Sequence, residues 1–247
     1  VWDAWLIAAA LEVGAGKVSF WNEETGFYHD VIEQPDGTAT SLEVFSMQSV
    51  VPLFAGIAIP ATSVTALEEI NAEIRRLRAA YEMPASSTPL RLAGGDGSHV
   101  MIGVVGHERF ERMLTRLLDP EQFLSPYGLR SLSRLHRDHP YVYTVDGRDY
   151  RVTYAPAESF DRMFGGNSNW RGPVWMPVNV LLTDALRTYA AGMGADLQIE
   201  FPTDSGQFRG IGDAAAEIDS RLVGLFRIGA DGRRPSDPRH VPTGPLW

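Results

Sequence analysis

Apolar residues recur every three or four positions over several stretches of this chain, and unusually long loops separate those stretches. A stripe of that period can be buried only by a helix laid against another apolar face, so the pattern calls for packed helices. The clearest stripe is Val64, Leu67, Ile70, Ile74, Leu77 and Tyr81. Thr65 with Glu68 forms a capping box there, or Ser63 is the cap, and the helix ends before Pro84. Further helices are predicted over 3–13, stopping at Gly14-Ala15-Gly16, and over 107–118, with Phe110, Met113, Leu114, Leu117 and Leu118 buried. Pro177 sits in the first turn of another, where its missing N–H costs nothing. That helix carries Val178, Leu181, Leu182, Ala185, Leu186 and Tyr189 and ends near Gly192. A last helix over 211–226 turns Ile218, Leu222, Leu225 and Phe226 inward.

The confident β element is Tyr141–Tyr154. Asp146-Gly147 lies between two alternating segments and supplies the positive φ angles of a two-residue hairpin turn. Ser46 to Ile59 is a further apolar stretch, closed by Pro60, and Pro35-Asp36-Gly37 marks a turn. Residues 85–105 pass from Ser, Thr and Gly to apolar residues without a period that assigns an element. Helical bundles ordinarily use short connections. Long loops rich in Trp, Tyr, Asn and Gly therefore suggest a site built at one end of a helical scaffold. The chain reads as a single domain over 1–247, mainly α.

Several function classes fall away. With 31 acidic residues against 22 Lys and Arg, net charge is −9. Phosphate contacts need a basic face. The one basic run, Arg75-Arg76-Leu77-Arg78, is one turn of a helix and reads as a solvated face, so no nucleic-acid partner is expected. There is no cysteine, which removes disulfides and thiolate metal sites. No apolar run approaches the ~18 residues that span a bilayer, and no membrane partner or secretory signal is expected. A cytoplasmic location is the default expectation, although the opening residues, without an initiator Met, suggest that the natural N-terminus lies further upstream. Gly94-Gly95-Asp96-Gly97 lacks the Gly-Lys-Ser/Thr ending of a phosphate-binding loop. Ser125, Ser131 and Ser133 lack a nucleophile elbow. Asp138 between His136 and His139 resembles an acid–base or metal cluster, but loop residues bonded to backbone are the stronger reading. No metal and no cofactor is expected.

The informative stretch runs from Phe164 to Asn179, Phe-Gly-Gly-Asn-Ser-Asn-Trp-Arg-Gly-Pro-Val-Trp-Met-Pro-Val-Asn. Indole faces of Trp170 and Trp175 suit the C–H faces of a pyranose. Arg171 offers a rigid fork of donors. Asn167 and Asn169 both donate and accept, as sugar hydroxyls require. Gly166 and Gly172 let backbone approach a ligand. The alternative is a structural loop with its Trp residues in the core and its Arg on carbonyls.

Asn169-Trp170-Arg171-Gly172-Pro173-Val174-Trp175, then Pro177-Val178-Asn179 and a Leu-rich helix, resembles glycoside hydrolase family 63. That family includes processing α-glucosidases and has mannosylglycerate hydrolases as relatives. Trp21 to Asp30, Ser46-Met47 with Pro52 to Gly56, Leu118 to Ser133, and His136 to Tyr141 continue the resemblance in order. Residues 1–18 and 85–105 depart from it. The resemblance implies a partial (α/α)6 barrel, a six-hairpin toroid, with the hairpin near 141–154 inserted. It implies an inverting mechanism, with an Asp acid and a Glu base about 6.5–9.5 Å apart. Both carboxylates are expected outside this chain, upstream of Trp21 and downstream of the tail; Asp30, Asp138 and Glu158 are the weaker internal candidates. The implied partner is a carbohydrate, bound by Trp170, Arg171, Trp175, Asn167, Asn169 and Gly166. Trp21, Phe27 and Tyr28 form the opposing wall, and Tyr127 and Arg130 contribute further wall. The expected activity is hydrolysis of α-glucosidic or α-mannosidic bonds by the intact protein. A different class stays open: a non-catalytic carbohydrate-binding or scaffold segment that completes a barrel with another chain. Uncovered helix faces would lead such a partial barrel to self-associate.

Overall fold

The computed structural model describes residues 18–63, 68–69, 72–73, 75–76, 79–80, 90–93, 98–156, 162, 168–194 and 197–235. The predicted helix over 3–13, Glu158, Gly166, Asn167 and the end of the tail lie outside them. The chain falls into two compact units. One comprises residues up to Glu43, Ser49–Met113 and Ala185–Gln198; the other comprises Val44–Gln48, Leu114–Asp184 and residues from Ile199 onward.

The first unit is rich in short antiparallel pairs. β1 (Trp21–Asn22) pairs with β2 (Phe27–Tyr28), and β3 (Asp30–Glu33) with β4 (Ala39–Leu42) across the Pro35-Asp36-Gly37 turn. β5 (Gly56–Pro60), β6 (Leu90–Ala93) and β7 (His99–Gly103) form a three-stranded sheet with β7 central. The described residues between 68 and 80 are helical, as the stripe predicts. The unit also holds the start of helix α1 (His107–Leu117). Its core centres on Met101, wholly buried on β7. A Cβ on Gly192 would lie 2.6 Å from the Met101 Cβ, and one on Gly56 would strike its Cε. Two glycines thus open the space that a long, flexible thioether fills. Phe110 and Tyr189 stack beside it, ring centroids 4.4 Å apart and nearly parallel at 4°.

The second unit contains β8 (Leu124–Ser125) with β9 (Gly128–Leu129), the short helix α2 (Leu135–Asp138), and the hairpin of β10 (Tyr141–Val145) and β11 (Arg148–Val152). The first half of helix α3 (Met176–Met193) follows, then most of β12 (Gln198–Glu200), β13 (Phe208–Gly210) and helix α4 (Ile211–Gly224). The hairpin turns at Asp146 (φ 50°) and Gly147 (φ 72°), as the Asp-Gly pair predicts. Helices α1, α3 and α4 lie where the apolar period places them.

Two expectations are corrected. Among the described residues the chain is not mainly α and shows no (α/α)6 barrel: thirteen strands in six small antiparallel sheets stand beside the helices. Most of these strands have two to five residues, too few to print an alternating pattern. The Ser46–Ile59 stretch divides into a 3₁₀ helix, Met47–Phe54, and strand β5. Pro52 denies that segment a helical donor, and Ile57 and Ile59 favour extended backbone. Phe226, expected to face inward, lies beyond the end of α4 and is 58% exposed.

Deleting the stacked ring beside Met101 leaves a cavity in closely packed surroundings. Phe110→Ala should therefore cost about 3–5 kcal/mol, read as a lower urea midpoint with an unchanged m-value.

Candidate functional site

The aromatic loop of the second unit is built on backbone hydrogen bonds that two buried side chains complete. Residues Ser168–Arg171 form a 3₁₀ turn, and Gly172 follows at φ 118°. A Cβ there would collide with the Tyr154 ring, so only glycine fits. The Gly172 N–H donates to Ser131 Oγ at 3.0 Å. The Ser131 N–H donates to the Pro173 carbonyl at 3.0 Å, and its own carbonyl accepts from Met47 N at 2.8 Å. Three segments of chain, at 45–47, 129–133 and 171–174, are thereby laced side by side. Isolated bridges, Arg130 to Val174 and Ser46 to Leu132, extend the lacing.

Asn179, wholly buried in the first turn of α3, closes the other side. Its Oδ1 accepts from Leu129 N at 2.8 Å. Its Nδ2 donates to the Leu129 carbonyl at 2.9 Å and the Trp175 carbonyl at 3.0 Å. One amide thus copies a strand's pairing to Leu129 while holding Trp175. Gly128 (φ 124°) lets Leu222 approach, since a Cβ would sit 2.6 Å from its Cδ2.

On this frame Trp170 and Trp175 meet edge to face, ring centroids 4.6 Å apart at 73°, and both are half-buried. Asn169 between them in sequence is exposed, and Tyr127 is half-buried with its ring against Gly224. The two arginines are different. Arg171 is the largest fully buried side chain described, and its carbonyl accepts from Ala155 N at 2.8 Å. Arg130 is also buried; its Nη1 donates to the carbonyls of Leu124 (2.8 Å) and Pro120 (3.1 Å). Burial lowers the Arg130 pKa, partly offset by Tyr154 beside it. One nitrogen of its fork, Nη1, is spent on carbonyls of the 120–124 loop.

Trp21, Phe27 and Tyr28 belong to the first unit, where all three are buried. Trp21 meets Tyr28 edge to face at 5.0 Å, and the guanidinium carbons of Arg109 and Arg112 lie 4.9 and 5.3 Å from its ring. Arg112 also pairs with Glu23 at 2.7 Å. Cations over an indole face stabilise it where it stands. Phe27 leaves no surface to solvent.

The acid–base candidates are placed as follows. Asp138 is exposed and paired with Arg137 at 2.8 Å, which holds its carboxyl below the ordinary range. Asp30 is exposed at the start of β3, and desolvation by surrounding chain raises its carboxyl. His136 is buried with both nitrogens engaged. Its Nε2 lies 3.0 Å from the Phe45 N–H and must accept, so the proton sits on Nδ1, 3.0 Å from the His139 carbonyl. Its ring stacks on Phe45, centroids 5.8 Å apart. A ring bonded this way binds no metal, and no cluster suited to a metal occurs among the described residues. Ser125 and Ser133 likewise serve the backbone, through the Gly128 carbonyl and the Leu135 N–H. Sequence reasoning quoted Ser131 and Asn179 without seeing their task; the only signal was a polar residue beside apolar ones in a helix's first turn.

Comparison with known proteins gives the class. Residues 99–221 match the mannosylglycerate hydrolase MGH1-like glycoside hydrolase domain. The chain is 34% identical over 222 residues to an uncharacterized protein of Saccharomyces cerevisiae, covering 88% of this chain and 20% of that protein. It is 34% identical over 82 residues to the mannosyl-oligosaccharide glucosidase of the same yeast, covering 33% of this chain and 7% of the relative. The chain thus spans about a fifth of the length of the first of these relatives. The domain match and the partial similarity to the glucosidase support a glycoside hydrolase family 63-like domain, as its tryptophan motif implies.

Two outcomes follow. Asn179→Ala takes the side-chain partner from the buried N–H and carbonyl of Leu129, at about 1–3 kcal/mol each, and removes one of two donors to the Trp175 carbonyl, so it should lower the unfolding midpoint and alter tryptophan emission together. Burial lowers the His136 pKa from its usual 6.5, against a smaller opposing pull from the His139 carbonyl. The unfolded chain then binds a proton that the folded one refuses, so stability present above pH 6.5 is lost as pH falls below it. His136→Gln should be less stable at pH 7.5 yet lose less on going to pH 5. Parallel curves for the two proteins would rule out this role for His136.

Proposed function

We propose that this chain contributes a sugar subsite to a glycosidase acting on α-glucosidic or α-mannosidic bonds with inversion. Trp170 and Trp175 are the platform for a pyranose ring, and Asn169 is a hydroxyl partner at its edge. Tyr127 extends the wall. Arg171 supports the platform from beneath, since a buried guanidinium orders the turn that carries both indoles. The observation that carries this reading is the half-buried edge-to-face tryptophan pair, clamped by Ser131 and Asn179.

Clamping matters because binding must offset the ordering of whatever holds the ligand. A loop already fixed by buried hydrogen bonds loses little freedom when a sugar arrives. In this reading an acid protonates the glycosidic oxygen and a base activates water on the opposite face. Neither is assigned to Asp138, whose carboxyl is engaged by Arg137 at the surface.

The test is hydrolysis of an α-glucoside and mannosylglycerate panel, with anomer analysis by NMR, beside calorimetry with the free sugars. Trp170→Ala should weaken sugar binding about tenfold, ~1.4 kcal/mol, with the circular dichroism of the fold intact. Binding without turnover is the outcome expected of a chain that supplies the subsite and not the acid and base. Turnover would make Asp30 and Asp138 the next variants. Sugar binding indifferent to both Trp170→Ala and Trp175→Ala would sink the subsite.

A further inference from the structure

Arg130 is a buried cation whose hydrogen bonds leave from one nitrogen. Nη1 donates to the carbonyls of Leu124 (2.8 Å), Pro120 (3.1 Å) and Gln122 (3.4 Å). The Nε–H, on the other edge of the fork, is buried and has no hydrogen-bond partner among the described residues. The same holds for the Tyr154 hydroxyl. The two residues are 4% and 7% exposed, and both border the 171–174 segment. Arg130 bridges Val174, and the Tyr154 ring fills the space beside Gly172, where a Cβ would lie 2.3 Å from its Cε2. Burial raises the pKa of the Tyr154 phenol, and the charges of Arg130, Arg134 and Arg137 oppose that rise, Arg130 most strongly. The phenol oxygen could accept the Nε–H, yet the pair does not adopt hydrogen-bond geometry. No carboxylate among the described residues forms an ion pair with Arg130. Glu121 is paired with Arg134 at 3.4 Å and Asp138 with Arg137 at 2.8 Å, both acids at the surface.

We infer that Arg130 and Tyr154 form a buried site for one small monovalent anion of the halide class, chloride above all, held between the Nε–H and the phenol O–H. Three features select that ligand. Both groups have a proton to give, and a guanidinium accepts nothing, so the ligand must be an acceptor for each. A buried charge without a counterion is costly, so an anion gains more there than water does. Size and donor number exclude larger ions. The Gly172 backbone closes one side of the Tyr154 ring, and loop carbonyls take Nη1. The two remaining donors suit one spherical acceptor. Sulfate or phosphate would bring more oxygens to satisfy and a second charge to bury. The role is structural: the anion ties the 120–130 segment to Tyr154, behind the segment that follows Arg171. The site stands whether or not Trp170 and Trp175 hold a sugar.

The experiment is chlorine NMR of sodium chloride with the full chain, beside crystals of the same chain grown in sodium bromide. Wild type should broaden the chloride line saturably, and added bromide should reverse the broadening. Tyr154→Phe keeps the ring beside Gly172 and removes only the hydroxyl. It should raise the chloride Kd about tenfold, the loss of one hydrogen bond to a charge. Arg130→Lys keeps a cation but not the Nε–H and should weaken binding likewise. Arg227→Gln, which removes an exposed arginine, should leave the Kd unchanged. In the bromide crystals an anomalous peak should lie between Arg130 Nε and the Tyr154 hydroxyl. Absence of saturable broadening by wild type would overturn the site, and so would equal broadening by wild type and Tyr154→Phe. Should Tyr154→Phe fail to fold, the bromide peak decides: a peak at Arg130 and Tyr154 upholds the site, and a peak elsewhere or none overturns it.

Discussion

Everything proposed for the second unit hangs on two buried polar side chains that behave as backbone. The Ser131 hydroxyl accepts from the Gly172 N–H, and the Asn179 amide pairs with both main-chain groups of Leu129 and adds a second donor to the Trp175 carbonyl. A buried amide or carbonyl without a partner costs about 1–3 kcal/mol, so a loop this irregular can be buried only if such groups are supplied. Ser131 joins three segments far apart in sequence, and Asn179 ties the first turn of a helix to a two-residue strand. The tryptophans are then carried by a surface whose backbone has no cheaper arrangement.

The arginines show how the same chemistry serves two ends. A guanidinium suits sugar hydroxyls and loop carbonyls equally, because both are neutral acceptors that match its fork. At Arg130 the carbonyls of Pro120 and Leu124 take Nη1, and burial removes both the Arg130 and the Arg171 side chains from solvent. In the proposed subsite, recognition is left to aromatic rings and amides. In the first unit Arg109 and Arg112 bracket Trp21, again using cations to fix a ring.

The sequence was most legible where a period had room to declare itself. Helices α1, α3 and α4 and the Asp-Gly hairpin emerge from spacing alone, and the tryptophan motif indicates the family. It was least legible in strands of two to five residues, such as β1, β2, β8 and β9, which are paired by tertiary contact and carry no alternation of their own. The Ser46–Ile59 stretch shows the same limit: uniform apolar composition does not distinguish a 3₁₀ helix followed by a strand from one continuous element.

By itself, then, the sequence determined the helical faces, the one tight hairpin, the exclusion of cysteine chemistry and the family 63-like character of the chain. The tertiary structure alone decided that, among the described residues, many short antiparallel pairs accompany those helices. It also decided that Arg130 braces a loop, that His136 is a neutral structural ring, and that Ser131 and Asn179 hold the aromatic loop. The physical reason is locality. Periodicity and turn chemistry act between neighbours in the chain. The pairing of a buried serine with a glycine forty-one residues away is set only when both lose their water together.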